Sequence, residues 1–224
     1  PPVPPAATEA PTTTAEMGTV VLSRYRVVDR DTGRFIVAED ARHIQLHVRP
    51  GMTATEEDRK AYPEHVIFLD GAYKGPPFLD NENWQYSFDH HEGCVRPFTL
   101  STCEQAAVML LKGLPIGEGE WKLFVNQPDL DALLAALLLM NLRDRLADGA
   151  ALLRQLMPLI RVEGVIDSHG LEMAALTGLS EEEYGIQKER LDKLMMLERE
   201  HRAAGTWANL DLVDCLATDH APHT

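Results

Sequence analysis

The chain has 224 residues, 45% of them apolar, and a formal net charge of −14 at pH 7. That is enough for one good-sized α/β domain or two small ones with a real core. The acidic balance argues against capture of long duplex nucleic acid, where Lys and Arg must displace counterions, but leaves room for a small anion held through metal ions.

Residues 1–17, PPVPPAATEAPTTTAEM, are rich in Pro, Thr and Ala and read as a disordered tail. They lack the charged start and apolar middle of a signal peptide. TVVLSRYRVVD (19–29) and RFIVA (34–38), joined by the turn signal DRDTG, predict a β-hairpin, and IQLHV (44–48) a third strand. HVIFLD (65–70) is a continuous apolar run that ends in an acid, as a buried parallel strand would. GAYKGPPFLDNEN reads as loop. WQYSFDHH (84–91) is a second strand ending in acid and histidine.

Ser101 and Glu104 form an S-x-x-E capping box ahead of a helix to about Lys112. WKLFVN (121–126) is a third strand of the same kind, and a helix starts at Asp129. A helix over 151–159 follows. RVEGVIDSHG then reads as a fourth strand or turn ending near Asp167, and a long charged helix begins at EEEYG. The expectation is a mostly parallel sheet flanked by helices, with an N-terminal hairpin, in one domain over 18–209 and an atypical segment over 210–224.

Ligands in parallel sheets bind outside the carboxyl ends of the strands. Asp70, Asp89, His90, His91, Asp129, Asp131 and Asp167 all fall there on this reading. Carboxylates with imidazole suit Mn²⁺ or Mg²⁺, and a pair of such ions can drive phosphoryl hydrolysis. One by one, the same acids also read as turn or helix caps, Asp129 above all. Four strand-like runs that each end in acid favour a site.

VIFLD followed by FDHHEG resembles two motifs of the DHH phosphoesterase family, and NQPDLDALLAALLL resembles a third, a PD-x-DA sequence opening a helix. GVIDSHG is a weaker match to the fourth acid. The similarity covers about residues 64–172. It implies that Asp70 bridges two metals, that His90, Asp131 and Asp167 hold the second, and that Asp129 serves the first. His91 would hold the substrate phosphate or protonate the leaving oxygen. Asp89 would orient this pair or meet water at the metals. The implied activity is divalent-metal-dependent hydrolysis of a phosphoester or phosphoanhydride, on a small phosphorylated molecule or a short oligonucleotide.

The chain departs from the family pattern in two ways. Its PD-x-D motif follows DHH instead of preceding it. Val125 stands where a histidine is usual, with Asn126 beside it. That leaves open a weak first metal, none, or one held in part by Asn126. A non-catalytic nucleotide- or metal-binding homologue is therefore the rival reading. No glycine-rich GGGH-like substrate segment is visible either.

Arg96 could pair with phosphate or be an ordinary surface arginine. The amides at the start of the 101–112 helix could take an anion. His43 and His47 read as surface or strand-face residues, and Met195 and Met196 as the apolar stripe of the last helix. ATDHAPHT (217–224) resembles the dihydroorotase signature, with Asp219 in the proton-transfer place and His223 in the substrate-contact place. That gives a third reading, a fragment of a cyclic amidohydrolase. Yet HIQLH has the wrong spacing for that family's H-x-H, and a barrel of ~250 residues does not fit beside the material already assigned. A joined or truncated end is the expectation.

Three cysteines without a CxxC and no apolar run of ~18 residues predict a cytoplasmic protein without disulfides or membrane span.

Overall fold

The computed structural model describes residues 24–30, 33–142, 149–203 and 210. The N-terminal tail, the hairpin turn at 31–32 and the ATDHAPHT segment lie outside the described residues.

Seven strands form one sheet: β1 (Tyr25–Arg30), β2 (Gly33–Ala38), β3 (Ala41–Val48), β4 (Val66–Leu69), β5 (Phe78–Asp80), β6 (Gln85–Phe88) and β7 (Trp121–Val125). Their spatial order is β1-β2-β3-β7-β4-β6-β5. The hairpin is present, but the sheet is mixed instead of mostly parallel. The central pairs β3·β7, β7·β4 and β4·β6 are parallel, while β1·β2, β2·β3 and β5·β6 are antiparallel. The connections explain this. Two residues separate β1 from β2 and β2 from β3, and four separate β5 from β6; only antiparallel neighbours can be joined so tightly. FLD, read as loop from sequence, is the edge strand β5.

Among the described residues the α-helices are α1 (Glu56–Arg59) between β3 and β4, α2 (Thr102–Leu111) between β6 and β7, and, after β7, α3 (Leu130–Asn141), α4 (Gly149–His169) and α5 (Glu181–Ala203). The main core joins one sheet face, including Ile67, Leu69 and Leu123, to apolar residues of α2, α3, α4 and α5. α3 is buried on every side from Leu130 to Met140. A helix apolar all round belongs in an interior. The opposite sheet face carries a smaller cluster of Val66, Phe68 and Phe124 under Ala54, Ala72 and Tyr73. The long helices thus sit on one face and not on both. No described helix is long and apolar enough to cross a membrane.

Two expectations change here. RVEGVIDSHG is no strand but the second half of α4, a 21-residue helix that runs through Pro158. His47 lies on a strand face, one of the two places expected for it, and is buried there with its ring 5.2 Å from those of Phe35 and Phe124. Met195 packs against the core, as the stripe reading expects, but Met196 is exposed.

Candidate metal centre

β4, β6 and β7 run parallel, and Leu69 is level with both Phe88 and Val125. The residues that follow them therefore emerge along one edge. Asp70 turns there with φ 50°, a left-handed conformation that Asp tolerates better than most residues, and Gly71 follows at φ 75°. Its N–H still donates to Phe88 O at 3.1 Å, closing the strand end. The turn leaves the Asp70 carboxylate buried at the sheet edge.

His90 comes from the end of β6 and is fully buried. Its Nε2 lies 2.9 Å from Asp167 Oδ2, 3.6 Å from Asp131 Oδ2 and 3.7 Å from Asp70 Oδ1. Three carboxylates thus surround one ring nitrogen, yet none is aligned with it as a hydrogen bond. Ser168 Oγ sits 3.4 Å from the other nitrogen, Nδ1. Burial opposes charge on this ring, but contacts with Asp167 and Asp70 and the charge of Asp131 outweigh it and raise the pKa to about 10. Asp167, despite burial, is held below its usual range by His90 and Arg96.

Asp131 sits one residue into α3. Its two oxygens accept the N–H groups of Thr102 and Cys103, each at 2.8 Å. Burial and the charge of Asp70 still push it up to about 6. Asp129 is the N-cap of α3 and accepts the Ala132 N–H at 3.1 Å. Burial and then Asp70 push its carboxyl up to about 9. Acids raised this way are crowded, and a cation is one means of relieving them.

His91 is half exposed at the mouth. Its Nδ1 lies 2.7 Å from Asp89 Oδ1, and the same oxygen accepts the N–H of His90 and of His91. Asp89 contact comes first among the causes that raise the His91 pKa. Asp89 Oδ1 thus gathers the DHH turn and the His91 ring, while its buried Oδ2 has no hydrogen-bond partner.

The ligand atoms fall into two overlapping groups, Asp70–His90–His91 and His90–Asp131–Asp167, each within 4.8 Å. Both histidine-acid groups suit a divalent cation. The other residues stand differently. Asp129 borders Asp70 but joins neither group. Asn126 Nδ2 donates to Gly71 O at 3.2 Å, and Val125 is buried and offers no ligand atom. Arg96 donates to both Asp167 O and Asp167 Oδ2, at 3.1 and 3.3 Å. His43 lies 3.3 Å from Ile116 O, away from the acids.

The sequence reading offered the α2 amides to a substrate anion, but Asp131 already holds them. It missed Thr102, whose hydroxyl donates to Asp70 Oδ1 at 3.2 Å. The signal was its place directly after the Ser101 cap, at the start of a helix. It also missed Glu163, hidden by the strand reading of its segment.

No family model matches the chain, and no curated protein or solved structure matches it either.

Proposed function

We propose that the chain is a divalent-metal-dependent hydrolase of phosphoesters or phosphoanhydrides, resembling the DHH phosphoesterases. The observation that carries this reading is His90 Nε2, buried, without an aligned hydrogen bond, and surrounded by Asp70, Asp131 and Asp167. Mn²⁺ or Mg²⁺ is the cofactor that suits these donors. Asp70, His90, Asp131 and Asp167 would hold the better-formed position; Asp70 and His91, with Asp129 nearby, would serve a weaker one.

When bound, the cation would supply positive charge to polarise the phosphoryl group and activate water. The chain's own residues do the rest. Asp89 keeps the His91 ring at the mouth in one orientation. In hydrolysis, water oxygen bonds to phosphorus and the bond to the leaving oxygen breaks. His91, at the mouth, would give that oxygen its proton. Arg96, now on Asp167, would have to exchange partners to reach a phosphate.

A second reading, a non-catalytic nucleotide- or metal-binding homologue, is favoured by Val125 and by the engaged Asn126 amide. The amidohydrolase reading rests on Asp219 and His223, outside the described residues. Purified protein with Mn²⁺, assayed on a chromogenic phosphodiester, on 4-nitrophenyl phosphate and on dihydroorotate, separates the three. Turnover of the phosphates that EDTA abolishes is the expected result. Mn²⁺ binding without turnover selects the homologue, and turnover of dihydroorotate alone selects the amidohydrolase.

A further inference from the structure

A cavity of about 470 Å³ opens beside the acid cluster, between the start of α3, the end of α4 and the end of α5. Asp129 and Asp167 border it, and Glu163, Glu198, Arg199 and Arg202 line it further out. Glu198 and Arg202 are paired with each other. Arg199 has no ion pair among the described residues. Glu163 is 5% exposed, and its Oε2 has no hydrogen-bond partner.

A buried carboxyl oxygen without a partner costs free energy, and natural structures hold few. Glu163 precedes Asp167 by four residues on α4, so both side chains lie on one face of that helix. A molecule with its phosphate at the Asp167 end would extend along this face. Neither group of clustered ligand atoms includes Glu163, so the residue does not read as one more metal ligand. A ligand hydrogen-bond donor would satisfy it. The free guanidinium of Arg199, in the same cavity, suits a second acidic group.

We propose that this cavity is a leaving-group subsite, in which Glu163 receives a hydroxyl or amino group and Arg199 a carboxylate of the substrate's alcohol portion. The substrate class is then phosphoesters of small hydroxy or amino acids. The assignment rests on the phosphoesterase reading above for the position of the phosphate.

Four probes test it on the full chain loaded with Mn²⁺, with His91→Ala to slow turnover. Ethyl phosphate offers neither group, glycerol 3-phosphate only the donor, 2-phosphoglycolate only the acid, and O-phosphoserine both. Calorimetry is expected to rank O-phosphoserine about 10-fold or more above ethyl phosphate, the scale of hydrogen bonds to charged groups. Adding Glu163→Leu should remove the advantage of glycerol 3-phosphate and spare that of 2-phosphoglycolate. Glu163→Gln, whose amide oxygen still accepts, should keep part of it. Arg199→Met should do the reverse. Equal affinity for the four probes, which needs no variant at Glu163 to fold, overturns the subsite.

Hydrolysis of 4-nitrophenyl phosphate by the parent separates the two claims. Turnover with four equal affinities sinks the subsite and leaves the phosphoesterase. Ranked affinities without turnover keep Glu163 and Arg199 as the ligand-binding subsite of a non-catalytic homologue and sink the phosphoesterase. No probe bound and none cleaved overturns both.

Discussion

The backbone N–H of Thr102 donates to Asp131 Oδ2 at 2.8 Å, so the first turn of α2 grips an acid that the candidate metal centre also uses. The N–H of Cys103 holds the other oxygen. Asp131 is therefore a tie between α2 and α3 as well as a ligand candidate. Two charge-assisted bonds are worth about 3–6 kcal/mol together, and relief of crowding with Asp70 would return a good part of that. Asp131→Ala is expected to lower stability by roughly 1–3 kcal/mol without any metal, and Asp131→Asn by less. Urea unfolding at pH 7 in EDTA measures this. No loss in either variant would show the tie to be energetically idle.

His90→Ala removes the imidazole shared by both groups and leaves Asp70, Asp131 and Asp167 facing one another. Mn²⁺ affinity is expected to fall about 10-fold or more, since even a partner behind a ligand commonly costs that much. His91→Ala should keep most of the affinity while losing turnover. Calorimetry on both variants checks the pair, and unchanged affinity in His90→Ala would remove His90 from the site.

Crowded acids also predict a thermal effect. If a cation enters only the folded site, Mn²⁺ at 100 times its dissociation constant adds about 2.7 kcal/mol of stability. The melting temperature of the parent should rise with Mn²⁺ and return with EDTA. That of Asp70→Asn should respond much less. An equal response in both would place the ion elsewhere.

His47 supplies a pH dependence apart from the site. Burial first, then Arg49 and Lys122, lower its pKa to about 4. The unfolded chain takes up this proton near the ordinary value of about 6.5. Between those two values the unfolded state binds more protons, so stability falls as pH drops and levels off below about 4. The loss is at most about 3 kcal/mol. His47→Leu should flatten that part of the profile in urea unfolding at stepped pH. An unchanged slope would assign it to other groups.

The strand ends were legible because each carries its own local signal. An apolar run stops at Asp70, another at Asp89, and capping patterns mark Ser101 and Asp129. Asp167 was placed among the acids for the wrong reason. Val162, Val165 and Ile166 are β-branched, and Gly164 interrupts them, so local preference pointed to a strand. Packing decides otherwise. A Cβ on Gly164 would lie 2.4 Å from Glu104 Cδ, so glycine lets α4 press against α2. That contact is between residues 60 apart and has no local trace. Had the helix been read, Glu163 and Asp167 would have fallen on one face. The β1–β2 hairpin was legible from its turn signal, but the antiparallel edge β5·β6 was missed because FLD is too short to show an alternating pattern.

The sheet order also bears on how the protein folds. β1, β2 and β3 are sequential neighbours that can zip together locally. β3 meets β7 only after some 70 residues of intervening chain, and β4 lies against that late arrival. Contacts so far apart along the chain form slowly, because loop closure precedes any reward. Asp70, His90 and Asp131 converge only once these central pairings and the α2–α3 contact exist. An isolated N-terminal meander would carry none of them, so capture of an ion during refolding should coincide with the last kinetic phase.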